Sequence, residues 1–422
     1  MVHEASALGT AGAACLGTFA LYACFRASVH IRALFLAILL GCAASAWSHG
    51  SADPLLGGLA RALVFGAFFP AVILLRATVE ASPRLDGLRA RLDGLDPATT
   101  ELLTLHGSHG LGSVINVGAS AVLAPVVSAG AGDARRTALA ATSARGVAIA
   151  AMWSPFYLSV AFSSQLVPGV PLWQLVAIGG GCALLGLGIS QAMFTPSVGL
   201  AALRESLARL RPLALPTAIV VGTVIGATLA FGWSGLHSVA VVIPALCMAH
   251  TLGRGPGATA LVARRTFAGL AHVANELLIV LGGTLLGAVV ASLPSVQQLG
   301  ASVTPELISG PAVVAALVAV IVLLGQVGLH PMISSSVLVP VICLGNFGIC
   351  SAVAVAAAVF AWGLNATVSI FTIPMAMAAS TFGVPVQRLV SRRTLLYAAI
   401  YAATAVAGLA ALNAALRGWG CA

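Results

Sequence analysis

Charge is what this chain has least of. Asp, Glu, Lys and Arg together make up 7% of its 422 residues, against about 25% in a soluble domain. Apolar residues reach 59% and the mean hydropathy is +1.05, which excludes a water-soluble globular enzyme and defines a polytopic membrane protein. Lysine is missing altogether, and all twenty basic residues are Arg. A net charge of +9 needs no nucleic acid to explain it when the arginines mark one face of a membrane. No GxxxxGK[ST] phosphate loop, GxSxG elbow, HExxH pair or Cys/His cluster occurs, so neither an ATP-driven mechanism nor a catalytic metal is expected. No cofactor is expected beyond a coupling ion, Na⁺ or H⁺. The eight Cys form no CxxC pair and most lie in apolar runs, which reads as reduced packing residues. Glu4 is the only charge before Arg26, so the first segment reads as a spanning helix and not a cleaved signal.

What is present is a duplication. Residues 119–127 read ASAVLAPVV and residues 334–342 read SSSVLVPVI, an offset of 215. At the same offset Ser154-Pro155-Phe156 answers Ser369-Ile370-Phe371, and one residue out of step the GVP ending at Pro171 answers the GVP ending at Pro385. A duplicated membrane protein of this size is typically a secondary transporter with its site where the halves meet.

Apolar runs long enough to span, about 20 residues each, fall near 8–25, 32–48 and 56–76. A polar loop carrying RLDGLRARLDGLDP, read as an interfacial helix, follows. Residues 99–130 are apolar but interrupted from Gly107 to Gly118, 137–165 are interrupted at Trp153-Ser154-Pro155, and 171–195 is straight. The loop 196–213 is polar. The second half repeats the order: straight runs at 214–233, 236–253 and 268–292, a loop at 293–310, then 311–345 interrupted from Gly325 to Ser336. Residues 348–384 are interrupted from Asn365 to Ser369, without a Pro, and 394–416 closes the chain. Irregular backbone at membrane depth is tolerated only inside protein or against a wet cavity, so 99–130 and 311–345 read as re-entrant hairpins. Each half then crosses five times and the second is inserted upside down. The fold class expected is an all-α polytopic membrane protein of two inverted repeats, each with five spanning helices, one hairpin and one broken helix. Scaffold helices take 1–98 and, with a linker, 196–310; the hairpin, broken helix and closing helix of each repeat take 99–195 and 311–422.

Charge tests this topology. With the N-terminal side named A, side B receives Arg26, Arg32, Arg76, Arg84, Arg89, Arg91, Arg135, Arg136, Arg204, Arg209, Arg211, Arg254, Arg264, Arg265, Arg388, Arg392 and Arg393. Side A receives Arg417, with Arg61 near its boundary, and Arg145 falls inside a span. Side B is therefore the cytoplasm and both termini lie outside it, in a membrane of the bacterial inner type.

The order of three helices, hairpin, broken helix and closing helix, twice and inverted, resembles the ion transporter superfamily, which includes divalent anion/sodium symporters, citrate permeases and arsenite permease-like proteins. The resemblance rests on that architecture and on VINVGASAVLAPV, MWSPFYLSV, GLHPMISSSVLVPV and NATVSIF. It implies a first hairpin opening from the cytoplasm, a second from outside, and a homodimer. The Ser-Asn-Thr signature of the dicarboxylate symporters is absent from both tips.

Three groups of residues are candidates for chemistry. The hairpin tips offer Ser113, Asn116 and Ser120 on one side, and His330, Ser334, Ser335 and Ser336 on the other. There, half-helix N-termini suit an anion and unwound carbonyls with hydroxyls suit Na⁺. The helix breaks offer Ser154 beside Pro155, and Asn365, Thr367 and Ser369. Within the spans, Arg145 lies nine residues beyond Arg136, about 13 Å deep at 1.5 Å per residue, and a mid-membrane Arg is a functional hypothesis by default. Glu276, with His272 one turn earlier on the same helical face, is placed to carry a coupling proton or to pair with Arg145 or Arg61. Arg61 occupies the position equivalent to Glu276 at the repeat offset. His106 and His109 sit too near a loop to require a ligand. Alternative readings of these residues are close helix packing at the tips, an ordinary kink at the breaks, and a structural ion pair for Arg145.

The function expected is a secondary active transporter of a small anion, an organic acid, coupled to Na⁺ or H⁺. An oxyanion or metalloid efflux permease, a non-transporting receptor and an intramembrane enzyme are the alternatives. The inverted repeat argues against the enzyme, since two similar sites serve alternating access better than a single reaction centre.

Overall fold

The computed structural model describes residues 7–82, 96–128, 130–167, 169–302, 309–345 and 347–418. The interfacial helix expected over RLDGLRARLDGLDP lies almost wholly outside them. Described residues form helices joined by short turns, with no strand among them. In the first half these are α1 (Ala7–Arg26), α2 (Val29–His49), α3 (Asp53–Ala62), α4 (Phe65–Glu80), α5 (Pro97–Ile115), α6 (Gly118–Val127), α7 (Asp133–Ala150), α8 (Leu158–Leu166) and α9 (Leu172–Phe194). The second half has α10 (Leu200–Phe231), α11 (Gly235–Leu252), α12 (Pro256–Leu270), α13 (Ala274–Ser292), α14 (Pro294–Ser302), α15 (Gly310–Gln326), α16 (Pro331–Leu344), α17 (Ser351–Val368), α18 (Ile373–Phe382) and α19 (Arg392–Gly418).

Eight stretches of described residues are long and apolar enough to cross a membrane: 29–49, 53–80, 172–194, 214–231, 235–252, 274–292, 351–382 and 392–418. The α7–α8 pair is more polar because Asp133, Arg135, Arg136 and Arg145 all lie on it. Together with α1 it completes five crossings in each half. The protein is a multi-pass, all-α membrane protein.

Helix lengths set the hairpins. At 1.5 Å per residue, the ten residues of α6 rise about 15 Å, half of a roughly 30 Å hydrocarbon core. α6 folds back on α5, and α16 folds back on α15. The broken helices are made of half-length pieces too, nine residues in α8 and ten in α18.

Packing follows the repeat. α2 on α13 is matched by α11 on α4; α3 on α13 by α12 on α4; α5 on α7 by α15 on α17; and α7 on α18 by α17 on α8. The broken helices α7 and α17 cross at the centre. Small residues permit these crossings: a Cβ at Gly363 would lie 2.9 Å from the Ala148 carbonyl, and one at Gly58 would lie 3.0 Å from the Leu285 Cα. Tyr401 ties the closing helices together, donating to the Cys182 carbonyl at 2.7 Å and meeting the Met152 sulfur at 2.9 Å.

Several boundaries differ from expectation. The interruption expected from Gly107 to Gly118 narrows to Asn116-Val117, because α5 runs on to Ile115. That expected from Gly325 to Ser336 narrows to residues 327–330. The second broken helix parts after Val368, not at Asn365; its break, residues 369–372, has no proline, and Pro374 sits in the first turn of α18, where a missing N–H costs nothing. Of the loop 196–213, residues 200–213 are the polar start of α10, and 293–310 contains α14. The run 268–292 is two helices with a break at residues 271–273, as α3 and α4 are two helices with a break at 63–64. Cys350 is disulfide-bonded, so the cysteines are not all reduced packing residues.

Candidate functional site

The breaks and the hairpin arms are joined by matching hydrogen bonds. In the first repeat Ser154 Oγ donates to the Ser113 carbonyl at 2.6 Å and accepts from the Phe156 amide at 3.3 Å. In the second, Ser369 Oγ donates to the Gly325 carbonyl at 2.9 Å and accepts from the Phe371 amide at 3.4 Å. Both serines are buried, with 0% and 1% exposure. Each occupies backbone groups that the break frees, one on its own strand of chain and one on the facing hairpin.

The tips turn by related means. Asn116 has φ 60°, the single positive φ of a non-glycine among the described residues, and its Oδ1 accepts from the Val117 amide at 3.0 Å. Its counterpart in the first-arm register, 212 residues on, is Gly328 at φ 86°. After the turn the register is 215, as in Ser120 and Ser335, so the second turn is three residues longer. His330 uses the extra length to cap α16, its Nδ1 accepting from the Met332 amide at 3.2 Å.

The hydroxyls near the tips differ between repeats. Ser143 bridges Ser108 and Ser120 at 2.8 and 2.9 Å, a fully buried chain. At the repeat offset Ser143 becomes Ala358, and the buried Ser335 hydroxyl has no partner. Ser334 and Ser336 bond back to the Pro331 and Ile333 carbonyls, Thr367 to Leu364, and Ser113 to Gly110. Asn365 lies within α17, where its Oδ1 accepts from Gln326 Nε2 at 2.9 Å. A Cβ at Gly325 would overlap it, so glycine is what lets the hairpin arm approach.

Arg145 is 1% exposed and makes no salt bridge among the described residues; the acid acting on it, Glu101, is bonded through Thr142 at 3.3 Å. Its Nε donates to Ser190 at 3.2 Å, a terminal nitrogen donates to Thr142 at 2.9 Å, and its guanidinium lies 3.7 Å from the centre of the Phe194 ring. Arg393 stands 5.0 Å from the same ring. The side chain therefore runs back toward the charged end of α7, and it lines neither of the cavities described below.

Glu276 and His272 do not share a helical face. The helix is broken between them, leaving His272 exposed in the turn and Glu276 in the first turn of α13. Glu276 meets neither Arg145 nor Arg61, and its buried Oε2 has no partner. Nor are Arg61 and Glu276 equivalent: the offset shortens to 208 at this break (Leu270 against Ala62), so Arg61 corresponds to Gly269.

Two cavities flank the broken helix α7–α8. The larger, about 920 Å³, lies between α5, α9 and α10 and is lined by His106, His109, Ser113, Trp153, Gln191 and Arg211 among apolar side chains. The smaller, about 310 Å³, lies between α8, α13 and α16, with Arg61, Gln165, Thr284 and Ser351 on its wall. Trp153 Nε1 donates to His109 Nε2 at 3.3 Å. The sequence alone gives His106 and His109 no ligand role and places Arg211 only as a side-B charge. Their signal was the spacing of His106, His109 and Ser113 on one helical face, obscured because α5 was expected to end at Gly107.

These features define the class: a membrane protein of two inverted repeats whose hairpins lean on broken helices. No family model and no curated protein matches the chain. Among solved structures it is similar to the YdaH transporter of Alcanivorax borkumensis, described as having an unusual topology. That match has a TM-score of 0.50 and 18% identity over 87% of each chain. It is also similar to MtrF of Neisseria gonorrhoeae, described as illuminating a class of antimetabolite efflux pumps. There the TM-score is 0.47 with 14% identity over 82% of this chain and 80% of that one. The first of these likenesses establishes a shared fold.

Proposed function

We propose that the chain is a secondary active transporter of a small organic anion, a carboxylate, working by alternating access coupled to Na⁺ or H⁺. The observation that carries this reading is a symmetry kept in one place and lost in another. Where each hairpin meets its broken helix, the repeats keep the same pair of serine hydrogen bonds. Where the hairpins meet the straight helices they differ: α10 packs on α5 and α13 on α16, while the counterparts α1 on α15 and α4 on α6 are not closely packed. Two near-equivalent packings of one repeat, only one of them realised, are what alternating access requires.

The hairpins, broken helices and closing helices are the moving body in this proposal, and α1–α4 with α10–α13 the scaffold. The shared fold with a transporter is consistent with it, as is the resemblance of the element order to the ion transporter superfamily. The arginine asymmetry supports side B as the cytoplasm, and the disulfide at Cys350, on side A, suits an oxidising compartment.

The test is thermal stability of the purified protein against mono-, di- and tricarboxylates and inorganic oxyanions, with and without Na⁺. A ligand of the folded state raises the melting point by mass action. A carboxylate that stabilises only with Na⁺ supports sodium coupling, and stabilisation that depends on pH alone supports a proton. No response to any anion would overturn the reading, and a response to oxyanions alone would favour the efflux-permease alternative.

A further inference from the structure

Each cavity contains one arginine, and in both cases it comes from the proposed scaffold: Arg61 from α3 and Arg211 from α10. Among the described residues neither guanidinium has an ion-pair or hydrogen-bond partner, whereas the arginines within α4 and α7 are engaged: Arg76 with Glu80 at 2.8 Å, Arg145 with Ser190 and Thr142. Both side chains are exposed, so each guanidinium is free to take an anion that enters its cavity. Acids are absent from both linings.

The cavities occupy opposite halves of the molecule. The smaller is bounded by the C-terminal ends of α8, α13 and α16 and by Ser351 at the start of α17. The larger is bounded by the first two-thirds of α10, the C-terminal half of α9 and the tip-ward half of α5. Chain direction puts the first set on side A and the second on side B. One helix joins them: Trp153 at the break lines the larger cavity, and Gln165 near the end of α8 lines the smaller.

We propose that Arg61 and Arg211 are the two terminal anion-binding residues of the pathway, one at each face, both fixed in the scaffold. This rests on the transport reading above. A solute carried by the moving body surrenders one guanidinium before it reaches the other, so its charge is held by an arginine only at the two ends of its travel. One fork at each end fits one carboxylate held by two parallel bonds, and the rest of both walls is largely apolar. The solute class is therefore a monocarboxylate with an apolar body, and the smaller cavity, about 310 Å³, bounds its size.

The experiment is exchange of radiolabelled hexanoate and benzoate across proteoliposomes holding the full chain in one orientation, with KM measured separately from each face. Arg61→Gln is expected to raise KM about ten-fold at the face bearing the smaller cavity, the loss of one charge-assisted pair, and to leave the other face unchanged. Arg211→Gln should do the reverse. Both side chains are exposed, so the substitutions remove little packing, and thermal unfolding checks that; Arg61→Lys and Arg211→Lys should recover part of the affinity. If the wild type exchanges carboxylates but the Gln variants change both faces equally, or neither, the inference is overturned and the transport reading stands. If the wild type exchanges neither solute, the inference falls, and the transport reading is decided by the wider anion panel above.

Discussion

Ser154 and Ser369, 215 residues apart, make the same two hydrogen bonds: each donates to a carbonyl of the facing hairpin's first arm and accepts from the amide two residues ahead in its own break. Each hairpin is thereby tied to the broken helix of its own repeat and moves with it. Ser154→Ala or Ser369→Ala strands two buried backbone groups, at about 1–3 kcal/mol each. Carboxylate flux in reconstituted vesicles is expected to fall by about ten-fold or more in both variants, with the protein still folded by its melting transition. Wild-type flux in either would separate the tie from transport.

The close approach of α15 to α17 depends on Gly325. Gly325→Ala places a methyl on Asn365, and overpacking of this kind costs about 1–3 kcal/mol. Gly41 in α2 has nothing within 4 Å of a built Cβ, so Gly41→Ala should be neutral or slightly stabilising. Melting temperatures of the two variants, compared in one detergent, check the pair.

Arg145 distinguishes a structural cation from a ligand residue. Its stacking on Phe194 and its bonds to Ser190 and Thr142 predict that Arg145→Gln loses about 2–4 kcal/mol of stability and leaves KM for the anion unchanged. A raised KM with an unchanged melting point would restore the role in substrate binding that the sequence alone suggests.

Outside the spans, Asp96 caps α5, its Oδ1 accepting from the amides of Ala98 and Thr99 at 3.0 and 3.1 Å. Hydrogen bonding to Thr99 holds its carboxyl below the ordinary 3.8. A group whose folded pKa is depressed adds stability above its unfolded pKa and loses it as pH falls through the folded value. The stability advantage of wild type over Asp96→Ala should therefore be full at neutral pH and should shrink below pH 3.8. An advantage that is flat with pH would mean that the charged carboxylate is not what caps this hairpin.

The order of elements was readable because hydropathy, the internal repeat and the arginine bias are local quantities summed along the chain. Ser154 and Ser369 were also legible, since a polar residue in an otherwise apolar span stands out. What was misplaced depended on contacts. Arg145 looked central by counting residues, but its long side chain turns back to Phe194, a residue 49 positions away. Glu276 and His272 stay close enough to interact but do not share one helix, because a break falls between them. His106 and His109 became cavity residues only because α5 continues past Gly107, through a stretch of Gly and Ser that reads as unwound until buried packing holds it helical.

The sequence by itself determined that this is a twice-written membrane protein, which segments cross, and that each repeat carries an interrupted hairpin and an interrupted helix. Composition and periodicity settle these, because a bilayer demands about 20 apolar residues per crossing whatever the partners. Tertiary structure alone decided which polar groups meet. Ser154 reaches Ser113, Asn365 reaches Gln326, and Arg61 and Arg211 come to face separate cavities, since each pairing joins helices far apart in the chain and follows from how closely small residues let those helices approach.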